Sequence, residues 1–116
     1  MSLDLDTLRS ANLSRCRRWH PGWPHGGWTG ADWSNALAGE VGEAANVVKK
    51  LRRWDTGAAN EGDPDEITLL EMLRAELADI ACYLDLLAAF YGINLSDAIR
   101  AKFNVVSERQ GFPERL

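Results

Sequence analysis

Little in this chain could crosslink it, carry it across a membrane or hold it on a polyanion. Cysteine occurs twice, as Cys16 and Cys82, far apart and outside any CxxC. That excludes a disulfide framework, and with only two histidines it excludes a Cys/His set at zinc spacing. Two reduced thiols are expected, with Cys82, in a strongly apolar stretch, as a small core residue. The longest apolar stretch lies in Ile80–Tyr91; Asp85 interrupts it, and it is too short to span a bilayer. The opening residues, Met-Ser-Leu-Asp-Leu-Asp, lack a basic segment followed by an apolar run, so no signal peptide is expected. A cytoplasmic protein with no membrane partner follows as the expectation. An excess of positive charge is missing too: 13 Lys and Arg stand against 17 Asp and Glu, a net charge of −4. General nucleic-acid binding shows as a basic surface, so the balance argues against it. No stretch alternates with the period of a strand.

What is present reads as helix. At 116 residues with 46% hydrophobic content the chain forms one small domain, and a chain this short gains burial by assembling as a homo-oligomer. A first helix is expected over about Leu3 to Trp19, where Leu5, Leu8, Asn12, Cys16 and Trp19 recur at helical spacing. The segment 20–31 follows, a loop rich in Pro, Gly and Trp; its prolines and glycines rule out a regular element. Trp23 and Trp28 lie within it and Trp19 and Trp33 at its edges. Loop aromatics either plug onto a core or wall a site. A second helix starts near Thr29 or Asp32, either of which could cap it, and runs to about Trp54. The segment 55–65 is a polar loop. A third helix spans about Asp65 to Tyr91 with Gly92 as a left-handed cap. A fourth starts near Ser96, an N-cap type, and carries Ile99, Phe103 and Val106 on one side until Gln110-Gly111-Phe112-Pro113 breaks it.

Two acidic pairs carry the chemistry, Glu40 with Glu43 and Glu76 with Asp79. Residues three apart on a helix project from one face. The first pair is edged by Leu37, Val41, Ala44, Val48 and Leu51. Around the second runs the stripe Leu69, Leu73, Ile80, Leu84, Leu87 and Tyr91, and Glu76 falls inside it. Acids aimed at a core are costly without a compensating cation, and no Lys or Arg lies within the pairs. If the second and third helices run antiparallel, the four carboxylates face one another as a hard-oxygen site suited to Mg²⁺, with Mn²⁺ as a substitute. Magnesium shares ligands with phosphates, so phosphate chemistry is the natural reaction class. A di-iron site is excluded, because His20 and His25 sit in the loop and neither follows a Glu by three. Gly39 and Gly42, poor helix formers beside the first pair, suggest that something approaches that backbone closely. Lys49 and Lys50, with Arg52 and Arg53, lie about two turns beyond Glu43 and could contact phosphates or simply complement the helix dipole. For Asp85 the plain reading is a cap or an interhelical hydrogen bond.

The stretches Trp33–Leu51 and Glu76–Leu87, with the closing Lys102–Pro113, resemble the MazG-like, all-α nucleoside triphosphate pyrophosphohydrolases, whose signature is ExxE, an insert, then ExxD. The resemblance implies a four- to five-helix bundle assembled as a homodimer or dimer of dimers. It implies cleavage of a nucleotide between its α and β phosphates, giving a monophosphate and pyrophosphate, in nucleotide-pool control. It makes Glu40, Glu43, Glu76 and Asp79 the metal and catalytic residues, with Glu43 favoured to activate water. It turns Lys102, Asn104 and Arg109 toward phosphate and sugar, and Trp19 toward the base. Alternatives are a phosphoribosyl-ATP or dUTP/dCTP hydrolase of the same fold, or a helical interaction module without turnover.

Overall fold

The computed structural model describes residues 2–116. They form four α-helices and no strand: α1 (Leu5–Trp19), α2 (Gly30–Asp55), α3 (Glu66–Phe90) and α4 (Leu95–Gln110). The all-helical expectation holds. Among the described residues no helix is long and apolar enough to cross a membrane. The chain gathers into two compact units, one made of the chain up to Gly30 with Asp85–Leu116, the other of Ala31–Leu84.

The helix ends follow from local chemistry. An Asp carboxylate just before a helix accepts one of the backbone N–H groups that the first turn leaves unpaired. Asp4 accepts from Thr7 N–H at 2.7 Å and Asp65 from Thr68 N–H at 2.8 Å. Each of these bonds favours the ionised acid and holds the carboxyl below its usual range. The fourth helix begins earlier than expected. Asn94, not Ser96, caps it, its side-chain oxygen accepting from Asp97 N–H at 3.1 Å. Ser96 lies in the first turn instead. Gly92 (φ 68°) follows α3 and Gly111 (φ 73°) follows α4, both in the left-handed region that favours glycine.

In the unit Ala31–Leu84 the inward edge of α2 reads Trp33, Leu37, Glu40, Ala44, Val47, Leu51, all buried or half-buried. The spacing alternates four and three, the seam of two closely paired helices. On α3 the matching edge is Leu69, Leu73, Glu76, Ile80, Tyr83. Trp33 meets Tyr83 with ring centroids 6.2 Å apart, and Glu40 meets Glu76. Advancing along α2 from Trp33 to Glu40 therefore retreats along α3 from Tyr83 to Glu76, so the two helices run antiparallel, as expected. The expected α2 stripe needs correction. Val41 and Val48 are 47% and 49% exposed, and Val47 takes the inward position. Leu84 and Tyr91, expected in the α3 stripe, are exposed as well. The polar loop is tied down at two points, by Arg53 Nη1 on Asp63 at 3.5 Å and Trp54 Nε1 donating to the Pro64 carbonyl at 2.9 Å.

In the other unit a polar cluster lies in the core. Asp85, 1% exposed, accepts from Arg9 Nε at 2.7 Å and from the Asn12 amide at 3.2 Å. This is the interhelical bond expected of Asp85, and it answers the cost of burying a carboxylate. Arg9 also donates to the Ile93 carbonyl at 2.9 Å. Both cysteines are free thiols, but Cys16, not Cys82, is the deeply buried one, and burial pushes its pKa up. Trp23 meets Phe90 edge-on at 5.7 Å, which fixes part of the tryptophan loop on the helices. The apolar side of α4 is partly open: Ile99 and Phe103 are about two-fifths exposed.

Candidate metal centre

The α2–α3 seam is apolar except at one level. There Glu40 and Glu76 occupy positions that hydrophobic residues hold above and below, and Glu43 stands one turn further along α2. One carboxylate oxygen from each of Glu40, Glu43 and Glu76 lies within 4.8 Å of the other two. Asp79, one turn beyond Glu76, is exposed and falls outside that group, although its charge reaches Glu76. Three of the four expected acids are thus brought together.

Glu76 bears the cost of the arrangement. Its Oε2 is buried and has no hydrogen-bond partner. Its pKa is raised, first by the neighbouring Glu40 carboxyl and next by desolvation; contact with Glu43 opposes this, and the charges of Glu40 and Asp79 add to it. Like charges crowded at one place favour the protonated acid. A divalent cation would relieve the same crowding. The donor set, all carboxylate oxygen with no nitrogen or sulfur, fits Mg²⁺ or Mn²⁺ and not a softer ion.

The cations on α2 separate on inspection. Arg53 is engaged by Asp63. Lys49 is exposed, Lys50 is half-buried, and neither forms an ion pair among the described residues. Lys50 lies seven residues after Glu43, on the same helix face and about 10 Å along the axis. Gly39 and Gly42 do not mark a close approach within the chain: a Cβ at either would meet nothing within 4 Å.

The remaining expected contact residues lie in the other unit. Trp19 is 69% exposed, outside the core stripe of α1, with the Arg15 guanidinium 5.2 Å from its ring centre. Lys102 and Arg109 are exposed on α4. Asn104 is half-buried and engaged on both sides of its amide by Leu116. Trp33 is 2% exposed and belongs to the seam. The seam position of Glu76 is readable from the four-three spacing of its neighbours, whereas the stripe expected on α2 passes beside Glu40 and not through it; the Asn104–Leu116 clasp carries no local sequence signal.

Compared with known protein families, curated proteins and solved structures, the chain matches none.

Proposed function

We propose that the protein is a Mg²⁺-dependent pyrophosphohydrolase of (deoxy)nucleoside triphosphates, releasing a monophosphate and pyrophosphate, of the MazG-like type. The observation that carries this reading is the meeting of Glu40, Glu43 and Glu76 in an otherwise apolar seam, with a buried Glu76 oxygen left without a partner. Evolution of a purely structural seam would place Leu or Ile there, because unpaired buried acid is destabilising. Glu40, Glu43 and Glu76 would hold the ion, with Asp79 completing the set from the next turn of α3. Bound Mg²⁺ supplies charge neutralisation for a polyphosphate. Glu43, the most exposed of the three, is the carboxylate free to take a proton from the attacking water. Lys50 and Lys49 offer cations toward the phosphates.

The same reading includes a homo-oligomer. Leu70 and Leu77 on α3 are 51% and 54% exposed, as are Val41 and Val48 on α2 to a similar degree. Apolar side chains repeated along a helix in this way favour burial against a second copy.

The test is pyrophosphate release across the eight common nucleotides with Mg²⁺ and Mn²⁺, in the parent chain and in Glu40→Gln and Asp79→Asn. Both variants should lose metal-dependent release while keeping their helicity. Undiminished turnover in the two would remove the metal-site assignment.

A further inference from the structure

The net charge of −4 is divided unevenly along the chain. The unit that contains α1 and α4 carries 8 Lys and Arg against 6 Asp and Glu, and the unit Ala31–Leu84 carries 5 against 11. The positive excess has a narrower location still. Residues 7–31 contain no Asp or Glu, and hold four arginines and both histidines. The expectation against nucleic acid rests on the whole-chain total, in which an acid-free run of this length is hidden.

Of those four arginines, Arg9 is taken by Asp85. Arg15, Arg17 and Arg18 are exposed at the end of α1, and none of them faces a carboxylate among the described residues. Elsewhere Arg53, Arg74 and Arg100 each meet an acid. A cation in the last turn complements the helix dipole, but that effect is confined to the turn. Arg15 stands before the last turn, and Arg18, three residues on, repels it. Three like charges without a counter-charge are costly to the isolated chain, and an external anion removes the cost.

The outward side of α1 also permits close approach. Ser10, Ala11 and Ser14 are short and exposed, whereas Asn12 and Cys16 face the core. Hydroxyl and guanidinium groups side by side are the donors that phosphodiester oxygens accept from. The exposed side chains of α1 include no aliphatic residue larger than alanine, so an anionic bilayer finds no apolar face to take up. Trp19, 69% exposed, stands one turn beyond Arg15, whose guanidinium lies 5.2 Å from the ring centre. An open indole stacks an unpaired base, which a single strand offers and a duplex does not.

We infer that the outward side of α1 binds a single-stranded nucleic acid, with Arg15, Arg17 and Arg18 on its phosphates and Trp19 under one of its bases. The inference does not rest on the hydrolase reading. It involves none of the acidic cluster, needs no metal and concerns a run of phosphodiesters, not a terminal triphosphate.

The test is fluorescence anisotropy of a labelled oligothymidylate of about 12 nucleotides, a length within the site sizes of single-strand binders, with EDTA present. The logarithm of the binding constant should fall with the logarithm of salt concentration at a slope of about −2, as three phosphate contacts on a single strand require. Arg15→Ala, Arg17→Ala and Arg18→Ala should each flatten that slope by about 0.7, and the triple variant should retain no salt-dependent binding. Trp19→Ala should weaken binding about tenfold at an unchanged slope. Arg74→Ala, an exposed arginine of the other unit, should alter neither value. No binding at low salt, a slope that survives in the triple variant, tighter binding of a duplex of the same length, or capture of phosphatidylserine vesicles in place of the oligonucleotide overturns the inference. Pyrophosphate release forms no part of this readout, so the hydrolase reading stands or falls separately.

Discussion

Glu40 on α2 and Glu76 on α3 bring carboxylate oxygens within 4.8 Å of each other at the one level of their seam where apolar side chains are not opposed, and the neighbouring Glu40 carboxyl is the largest cause of the raised Glu76 pKa. The sign of the consequence follows from linkage. A carboxyl whose folded pKa lies above its unfolded value binds its proton more tightly in the folded state. Its stabilising contribution is full below the ordinary Glu range and is lost as pH rises through the raised folded value. The metal-free protein should therefore lose melting temperature across that window, and millimolar Mg²⁺ should restore it at neutral pH. Glu76→Gln should melt higher than the parent without metal and gain nothing from Mg²⁺. Thermal melts over pH 4 to 8, with and without Mg²⁺, decide this; a parent protein indifferent to Mg²⁺ sinks it.

Lys50 shares a helix face with Glu43, and Lys49 does not. Lys50→Ala should raise KM for a nucleoside triphosphate about tenfold, the scale of one charge-assisted hydrogen bond, whereas Lys49→Ala should change it less. Steady-state kinetics at two salt concentrations gives the comparison. Equal effects of the two substitutions would point to a diffuse field and not a contact.

Asp85 is held by Arg9 and Asn12 in a nearly closed environment. Asp85→Ala strips two donors of their acceptor at once and should cost about 3–5 kcal/mol in urea unfolding. The Mg²⁺ response of whatever fraction remains folded should be unchanged, since Asp85 takes no part in the acidic cluster.

Trp33 fills the seam against Tyr83 and is almost fully buried. Trp33→Ala should cost about 3–5 kcal/mol, and Trp33→Phe much less. If Trp33→Phe instead impairs nucleotide binding at full stability, the tryptophan touches substrate and its placement in the core is wrong.

Gly42 lies inside α2 with open space where a Cβ would stand. Gly42→Ala should stabilise the helix by about 0.5–1 kcal/mol. Measured at dilute and concentrated protein, the gain should persist where the chain is alone. A loss that grows with concentration would show a second copy seated against that glycine.

Much of this was legible in the residues. Helix positions follow from apolar spacing and from Gly92, and the acidic pairs stand out because Glu interrupts stripes of Leu, Val and Ile. The failures are instructive for the same reason. Val41 and Val48 fit a helical stripe as well as Val47 does, and spacing alone cannot say which side of an apolar-rich helix a neighbour covers. Asn94 and Ser96 are both competent caps, and only the start of regular backbone at Leu95 separates them.

The sequence by itself determined that the chain is helical, where it turns, and that carboxylates recur in pairs, since these depend on bonds and side chains a few residues apart. Tertiary structure decided that Glu40, Glu43 and Glu76 meet while Asp79 stands aside, that Asp85 answers to Arg9, and that Leu116 closes on Asn104. Each of those facts joins residues distant along the chain, and their meeting depends on how helices pair in register, which no local pattern encodes.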